Sequence, residues 1–342
     1  MKRHWRAGLI GTEMFWADLL VDDRFSDESG SLSQYVVDYR ANLKSHLSHT
    51  LSHPRVFLLG LREKVRFNYF RRPSYNFFTK KMKFYLLVGA ESKQISITVK
   101  LADFFFKDLP KPKVILEPHF VTLLKSESEN VTLSVHDFLS TVGANLGFCC
   151  DVVATGSCPS PYWGEEIEEA EALVAFTAEA KQHITKGKDL VVYLNEYQLD
   201  ADYVAGVNLV SDLSLDNIAN VDRGDAETEA RDDKADNAIE EVAGDVTPTI
   251  ELNQSQLLML ARCFTLYFLG SDKQRTVSIK NADNNLSRFM QRASMTRIWV
   301  DHGYESDGEY LRLGSEEVTH SPNHVFSITQ EDGELSVDRS NS

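Results

Sequence analysis

The densest concentration of chemically useful side chains lies in one short segment, residues 62–85. Cations and aromatic rings are interleaved along it, and Glu63 is its one acidic residue. Single-stranded nucleic acid is bound by both components, because cations follow the phosphates and aromatic faces stack on bases for about 1–3 kcal/mol each. The segment therefore predicts a nucleic-acid surface. The residues predicted to form it are Arg62, Lys64, Arg66, Phe70, Arg71, Arg72, Tyr75, Lys80, Lys81 and Lys83.

Strand periodicity decides which of the rings can reach a ligand. Val65, Phe67 and Tyr69 share the apolar side of an alternating segment, so we expect them to face the core. Phe70, Tyr75 and Phe77 lie near a turn and are expected to be free to stack. Two alternatives stay open: a well-packed hairpin whose basic face is merely solvated, or a surface that contacts phosphates alone and weakens steeply with salt.

Histidines near the end of the first long helix form a second candidate. His46, His49 and His53 lie on one side of that helix, and an i, i+4 pair can hold zinc when another segment supplies a third ligand. No carboxylate or cysteine at a recognised metal spacing accompanies them. We therefore expect a polar helix end, where a protonated histidine complements the helix dipole, and predict no metal site.

A metal-dependent hydrolase, most simply a nuclease, is the alternative function. Glu63 and Glu91 could share a cation, and Lys93 could steady the attacking water. The phosphate-loop motif and the G-x-G-x-x-G, G-x-S-x-G and H-E-x-x-H motifs are all missing from the sequence. We therefore predict no catalytic residue and no cofactor.

Charge is divided unevenly along the 342 residues, whose formal net charge is −15. Residues 1–113 contain 20 Lys and Arg against 11 Asp and Glu, whereas the remainder contains 16 against 40. This asymmetry favours a basic surface for a polyanion or an acidic protein partner, although the two halves could also attract each other. A hydrophobic content of 42% excludes collagen-like and wholly disordered classes.

The compartment follows from cysteine usage and from the apolar runs. Cys149 and Cys150 are adjacent and do not belong to a spaced disulfide framework, which favours a reducing environment. Glu13 and Asp18 interrupt the first apolar stretch, and the run Leu257–Leu269 is too short to span a bilayer. We expect a cytoplasmic protein with no membrane partner.

The elements that must position these residues begin with helices. Apolar residues at spacings of three and four predict a long helix over residues 31–53, which Pro54 ends. The amphipathic segment Leu9–Leu20 is expected to pair with it. Further strands are predicted at 82–88, 94–100, 114–116, 120–124, 131–135 and 190–193, and further helices at 136–146 and 165–186.

The second half contains an acidic segment and then a strongly apolar one. Residues 211–247 have no aromatic side chain, and their low hydrophobicity and high charge predict a disordered insert. A helix apolar on all sides follows at Leu257–Phe268 and is expected to be buried. Two Asp-Gly turns predict hairpins, one joining 297–300 to 310–313 and the other joining 325–329 to 334–337.

Together these patterns predict an α+β fold with N-terminal helices, a mixed and mostly antiparallel sheet, and a buried C-terminal helix followed by β-hairpins. The predicted organisation is an α+β domain over 1–210 with a basic N-terminal part, the acidic insert at 211–247, and 248–342 packed on the first part. The predicted function is a non-enzymatic nucleic-acid-binding or assembly subunit. A nuclease-like hydrolase and a protein–protein scaffold remain the alternatives.

Overall fold

Six helices and fifteen strands make up the part of the chain that a computed structural model describes, namely residues 3–21, 33–144, 149–158, 169–201, 252, 254–270, 277–293, 295–303 and 312–339. The helices are α1 (Asp18–Val21), α2 (Gln34–Leu51), α3 (Val135–Thr141), α4 (Glu169–Lys181), α5 (Gln254–Leu269) and α6 (Val277–Arg292). The strands are β1 (Arg3–Trp16), β2 (Arg55–Glu63), β3 (Val65–Phe67), β4 (Ser74–Asn76), β5 (Lys81–Val88), β6 (Lys93–Val99), β7 (Lys113–Leu116), β8 (Phe120–Leu124), β9 (Asn130–Ser134), β10 (Cys149–Cys158), β11 (Lys188–Ala201), β12 (Met295–Gly303), β13 (Arg312–Gly314), β14 (Asn323–Glu331) and β15 (Glu334–Asp338).

Eight of the strands form one mixed sheet that curls into a half-barrel, in the order β13-β10-β2-β11-β1-β12-β14-β15. The pairs β1–β12 and β10–β13 are parallel, and the other neighbours are antiparallel. The predicted α+β class, with a mixed and mostly antiparallel sheet, is confirmed.

Helices cover both faces of this sheet, and the central strands show why. In β2, Leu58 belongs to the core beneath α5 and α6, whereas its neighbours Phe57 and Leu59 belong to the core beneath α2 and α4. A strand buried on both faces is apolar at nearly every position, as residues 56–59 are. We call the eight-stranded sheet with its covering helices the body.

The smaller strands and α3, residues 65–141, form a second unit that we call the outer lobe. A four-stranded antiparallel sheet contains β3, β5, β4 and β6, and a three-stranded one contains β7, β8 and β9. Phe67, Phe84 and Phe138 meet in their shared core, with ring centroids 4.9–6.3 Å apart. Because β3 follows β2 after one residue, the outer lobe emerges directly from the centre of the body.

Several predicted elements are confirmed. The long N-terminal helix ends at Leu51, just before Pro54, and α5 is buried along most of its length. The second Asp-Gly hairpin joins β14 to β15, and both of its turn residues have positive φ, 52° at Asp332 and 87° at Gly333. A two-residue turn of the primed type needs such angles, which is why Asp-Gly is favoured there.

Two predicted elements are wrong. The segment Leu9–Leu20 is mostly strand, because β1 pairs with β11 on one side and β12 on the other, and helix is limited to residues 18–21. Gly8 and Gly11 lower its helix propensity. The hairpin between 297–300 and 310–313 does not form either. Both edges of β12 are occupied by β1 and β14, so β13 pairs with β10 instead.

The predicted acidic insert at 211–247 lies outside the described residues. Within the described part of the chain, no helix combines the length and the apolar content that crossing a bilayer requires.

Candidate nucleic-acid interface

The four-stranded sheet of the outer lobe has an outer face that is basic. Alternation along β5 buries Phe84 and Leu86 in the lobe core, so Lys83 and Tyr85 are directed to the opposite face. Arg66 of β3 lies on that face too, between the buried residues on either side of it in β3.

Cation–π contacts organise the middle of this face. The guanidinium carbon of Arg71 lies 3.8 Å from the centroid of the Tyr85 ring, and Lys83 Nζ lies 5.6 Å from it. Arg71 is positioned by a turn, because its N–H donates to the Asn68 carbonyl at 3.0 Å. The ring thus holds two cations next to each other despite their repulsion.

Two phenylalanines project from the β4–β5 turn at one end of the sheet. Asn76 Oδ1 accepts hydrogen bonds from the N–H groups of Phe78 (2.9 Å) and Thr79 (3.2 Å), which fixes the turn. Phe77 is 66% exposed and Phe78 is 98% exposed. We call residues 77–80 the aromatic loop.

A second pair of rings follows β3. Phe70 is 81% exposed, and Tyr69, with its centroid 4.0 Å away, is 45% exposed. The expectation that Tyr69 faces the core is wrong, because β3 ends at Phe67 and the chain turns there. The aromatic-basic surface, as we define it, contains Arg66, Tyr69, Phe70, Arg71, Arg72, Phe77, Phe78, Lys80, Lys81, Lys83 and Lys111.

Most residues of the predicted surface lie on it, but three require comment. Tyr75 is half-buried, with its ring 5.1 Å from that of Phe77 and 5.5 Å from Lys111 Nζ. Lys64 lies at the junction of the outer lobe and the body. Arg62 is buried in that junction and does not belong to the exposed surface.

Arg62 is buried because its position in β2 lies opposite Asp189 of β11. Arg62 Nη2 donates to Asp189 Oδ2 at 3.1 Å, and the Val65 N–H donates to the same oxygen at 2.8 Å. Burial raises the pKa of Asp189, and the guanidinium and the N–H oppose that rise. Asp189 thus connects Arg62 and Val65, and so stabilises the start of the outer lobe against the body.

A histidine and a tryptophan complete this buried polar centre. The Trp16 ring contacts both Arg62 and His136: its centroid lies 4.1 Å from the Arg62 guanidinium carbon, and it stacks on the His136 ring at 3.6 Å. Arg62 Nη2 also donates to His136 Nδ1 at 2.6 Å. Burial, and after it the charge of Arg62, lower the pKa of His136 well below its ordinary value, so the imidazole is neutral.

Asp18, His136 and Asp189 bring ligand-type atoms within 4.8 Å of one another, the geometry of a possible metal site. The hydrogen bonds of His136 are incompatible with metal binding at this position. Because Nδ1 of His136 accepts from Arg62, the proton of the neutral ring lies on Nε2, which is then a donor and not a metal ligand. A guanidinium next to the group also repels a cation. We therefore interpret the centre as structural.

Other sequence candidates are placed differently. His46 Nε2 lies 3.0 Å from a Glu13 oxygen, and His53 Nδ1 lies 2.8 Å from the His49 carbonyl, which makes a polar helix end. The Glu63 carboxylate lies 3.9 Å from Lys188 Nζ, and Glu91 is exposed in the β5–β6 turn.

The sequence pattern predicts that Phe77 is free to stack, but it does not place Phe78, Tyr69 or Lys111 on the surface. The Asn76 turn would have revealed Phe78, because asparagine is a turn signal and its side chain accepts hydrogen bonds from the backbone that follows it. The buried centre had no such signal, since Asp189 meets Arg62 only through strand register.

Compared with protein-family models, with curated proteins and with solved structures, the chain matches none of them.

Proposed function

We propose that this protein binds single-stranded nucleic acid through the aromatic-basic surface, without cutting it, as a binding protein or as a subunit of an assembly. The observation that carries this proposal is the exposure of Phe70, Phe77 and Phe78 next to the cations of the same two turns.

Exposed phenylalanines in a group are unfavourable unless something covers them. Burying one such side chain contributes about 1.5–3 kcal/mol, and a cluster of exposed apolar side chains is typical of an interaction site. The rings lie on tight turns, so they are presented in a fixed place. Planar bases fit planar rings, and a partner that also carries regular negative charge would use the surrounding lysines and arginines.

The polar sheet face supplies a path between the two ring pairs. Arg66, Arg71 and Lys83 lie on it, and Asn68 Nδ2 donates to Gln94 Oε1 at 3.1 Å beside them. Cations spaced along a strand direction match a chain of phosphates better than a single anion. An acidic protein would use the same charges but would have less need of several exposed flat rings.

Titration of fluorescent single- and double-stranded oligonucleotides with the full-length protein, at about 50 and 200 mM salt, tests the proposal. We expect tighter binding to the single strand and a marked loss of affinity at the higher salt. The variant with Arg71, Arg72, Lys80 and Lys81 replaced by alanine should not bind. Binding that is absent even at low salt would overturn the proposal.

A parallel incubation with Mg²⁺ or Mn²⁺ distinguishes a binder from a nuclease. A binder leaves the oligonucleotide intact on a denaturing gel, whereas a nuclease shortens it. Co-purification with and without added nuclease addresses the scaffold alternative: a partner that stays bound after nuclease treatment, in a protein that does not bind oligonucleotides, would favour a protein–protein scaffold.

A further inference from the structure

A cleft of about 950 Å³ lies where the outer lobe meets the body, near the end of β5 that is far from the aromatic loop. Cationic side chains line it from both sides: Lys64, Arg66, Lys181, Lys186 and Lys188. Asp18 is the one acidic residue among the described residues that line it. A cleft of this volume suits a ligand of nucleotide size.

Buried residues and exposed cations both line the cleft. Asp18, Val21 and Leu190 are buried lining residues, whereas Lys181 and Lys186 are exposed. Ile184, which is also exposed, adds an apolar side chain among the lining residues.

The two walls are held together by backbone contacts. The Lys64 N–H donates to the Gly187 carbonyl at 3.0 Å, and the Gly89 N–H donates to the Lys64 carbonyl at 2.8 Å. Gly187 has a φ of 83°, and a Cβ there would lie 2.8 Å from that of Ala90. The cleft is therefore formed before any ligand binds.

Part of the positive charge in the cleft is not neutralised by ion pairs with the described residues. Lys188 Nζ lies 3.9 Å from a Glu63 oxygen, and Arg66 Nη2 donates to the neutral Ser92 hydroxyl at 2.6 Å. Lys64 and Lys186 make no ion pair with any residue that the structure describes. Several cations in one partly enclosed site select an anion of more than one charge.

We propose that this cleft binds the phosphorylated end of the nucleic acid strand that lies on the aromatic-basic surface; the inference rests on the proposed function. Arg66 belongs to both sites, and β5, at about 3.3 Å per residue, spans about 23 Å from the aromatic loop to the cleft. A terminal phosphate carries a charge of about −1.5 to −2 at pH 7, whereas each internal phosphate carries one negative charge. The cations that line the cleft therefore favour a terminal phosphate over an internal one.

Affinity measurements on matched oligonucleotides test this inference. The same single-stranded sequence is used with a terminal phosphate or a terminal hydroxyl, at the 5′ end in one pair and at the 3′ end in another, with the label on the opposite end. We expect one phosphorylated form to bind the full-length protein about tenfold more tightly than its hydroxyl counterpart. The preference should disappear when Lys181 and Lys186 are both replaced by alanine.

A matched variant keeps this result separate from the proposed function. Replacing Lys80 and Lys81 by alanine should lower the affinity for the phosphate and hydroxyl forms equally. The preference for the phosphorylated form should therefore be unchanged. Equal binding of the phosphate and hydroxyl forms by the native protein would overturn the inference and leave the proposed function standing. Absence of binding to every oligonucleotide would overturn both. A free nucleoside monophosphate that binds the cleft as tightly as the phosphorylated strand would also overturn the inference, because the site would then be one for a small molecule.

Discussion

Arg62 and Arg66 are four residues apart in the chain and have opposite environments. Arg62 lies in the body, buried against Asp189 and His136, whereas Arg66 lies on the outer face of the outer lobe next to the Ser92 hydroxyl. The change occurs where β2 ends and β3 begins, because the chain passes there from a sheet covered on both faces to a sheet covered on one. A run of cations in a sequence therefore does not act as one unit: its first member stabilises the fold, and the others are available to a ligand.

The largest loss of stability should come from replacing the buried arginine. Replacing Arg62 by alanine leaves Asp189 buried and unpaired, and we expect a loss of about 3–5 kcal/mol in the free energy of unfolding. Replacing Arg66 by alanine should cost about 0.5 kcal/mol or less, as is usual for surface substitutions. Urea denaturation of both variants measures the difference.

A paired replacement, Arg62→Met with Asp189→Leu, provides the control for this prediction. Removing both charges together should restore much of the lost stability, because neither is then left unpaired. Equal costs for the Arg62 and Arg66 single variants would contradict the contrast between interior and surface.

Acid should weaken the interior of the body through two further buried histidines. Burial lowers the pKa of His302 to about 3 and that of His324 to about 4. Both rings are neutral in the folded state but bind protons in the unfolded chain below about pH 6.5. The stability that these neutral rings contribute is therefore lost as the pH falls through 6.5, by about 1–2 kcal/mol per histidine between pH 6.5 and 5.

Hydrogen-bonding and titratable groups surround both histidine rings, and urea denaturation at several pH values tests their effect on stability. The hydroxyls of Tyr197 and Tyr267 lie 2.6 and 3.0 Å from the Nδ1 atoms of His302 and His324. Hydrogen bonds to the Leu313 and Ser321 carbonyls raise the pKa of His324 and so oppose the effect of burial, whereas His320 lowers that pKa. The free energy of unfolding, measured by urea denaturation from pH 7 to 5, should fall less steeply in His302→Gln than in the native protein. The exposed His53→Gln variant should keep the native slope. A native slope of zero would show that these histidines are not buried in solution.

Substitutions in the aromatic loop test whether the exposed surface binds nucleic acid. Replacing Phe77 and Phe78 by serine should reduce the affinity for a single-stranded oligonucleotide by about 5- to 150-fold for each lost stack, because stacking contributes about 1–3 kcal/mol per base. The free energy of unfolding should change little, since both rings are already exposed. Val174→Ser, which removes another exposed apolar side chain (68% exposed, on α4), should leave the affinity unchanged. A loss of stability without a loss of binding would contradict the assignment.

The smallest effect concerns a single phosphate contact. In Lys83→Ala, the slope of log affinity against log salt concentration should fall by about 0.7, the value for one phosphate of a single strand. The control is Lys100→Ala, because Lys100 already pairs with Asp103 at 2.7 Å and lies outside the aromatic-basic surface. An unchanged slope for Lys83→Ala would remove that residue from the phosphate path.

Local patterns predicted the parts of the fold that depend on local physics. The Pro54 boundary of α2, the apolar helix α5 and the Asp332-Gly333 hairpin each follow from neighbours in sequence, and each is present. Segments whose state depends on distant partners were missed. The first strand resembles an amphipathic helix until β11 and β12 are placed on either side of it, and β13 pairs with β10, which is far away in sequence.

The candidate site divides in the same way. The alternating pattern correctly predicted that Phe67 and Arg66 face opposite sides of the strand. It could not show that the strand ends at Phe67, which leaves Tyr69 exposed. Charge counting grouped Arg62 with its neighbours, although the carboxylate that pairs with it is 127 residues away in the sequence. The basic cleft is likewise assembled from four separate segments, so no local motif indicates it.

Ultraviolet cross-linking of the native protein to a single-stranded oligonucleotide, followed by mass spectrometric mapping of the modified peptides, tests the central claim most directly. We expect adducts on Phe70, Phe77 or Phe78. These adducts should disappear when Arg71, Arg72, Lys80 and Lys81 are replaced by alanine. Adducts confined to the body, away from the outer lobe, would contradict the claim.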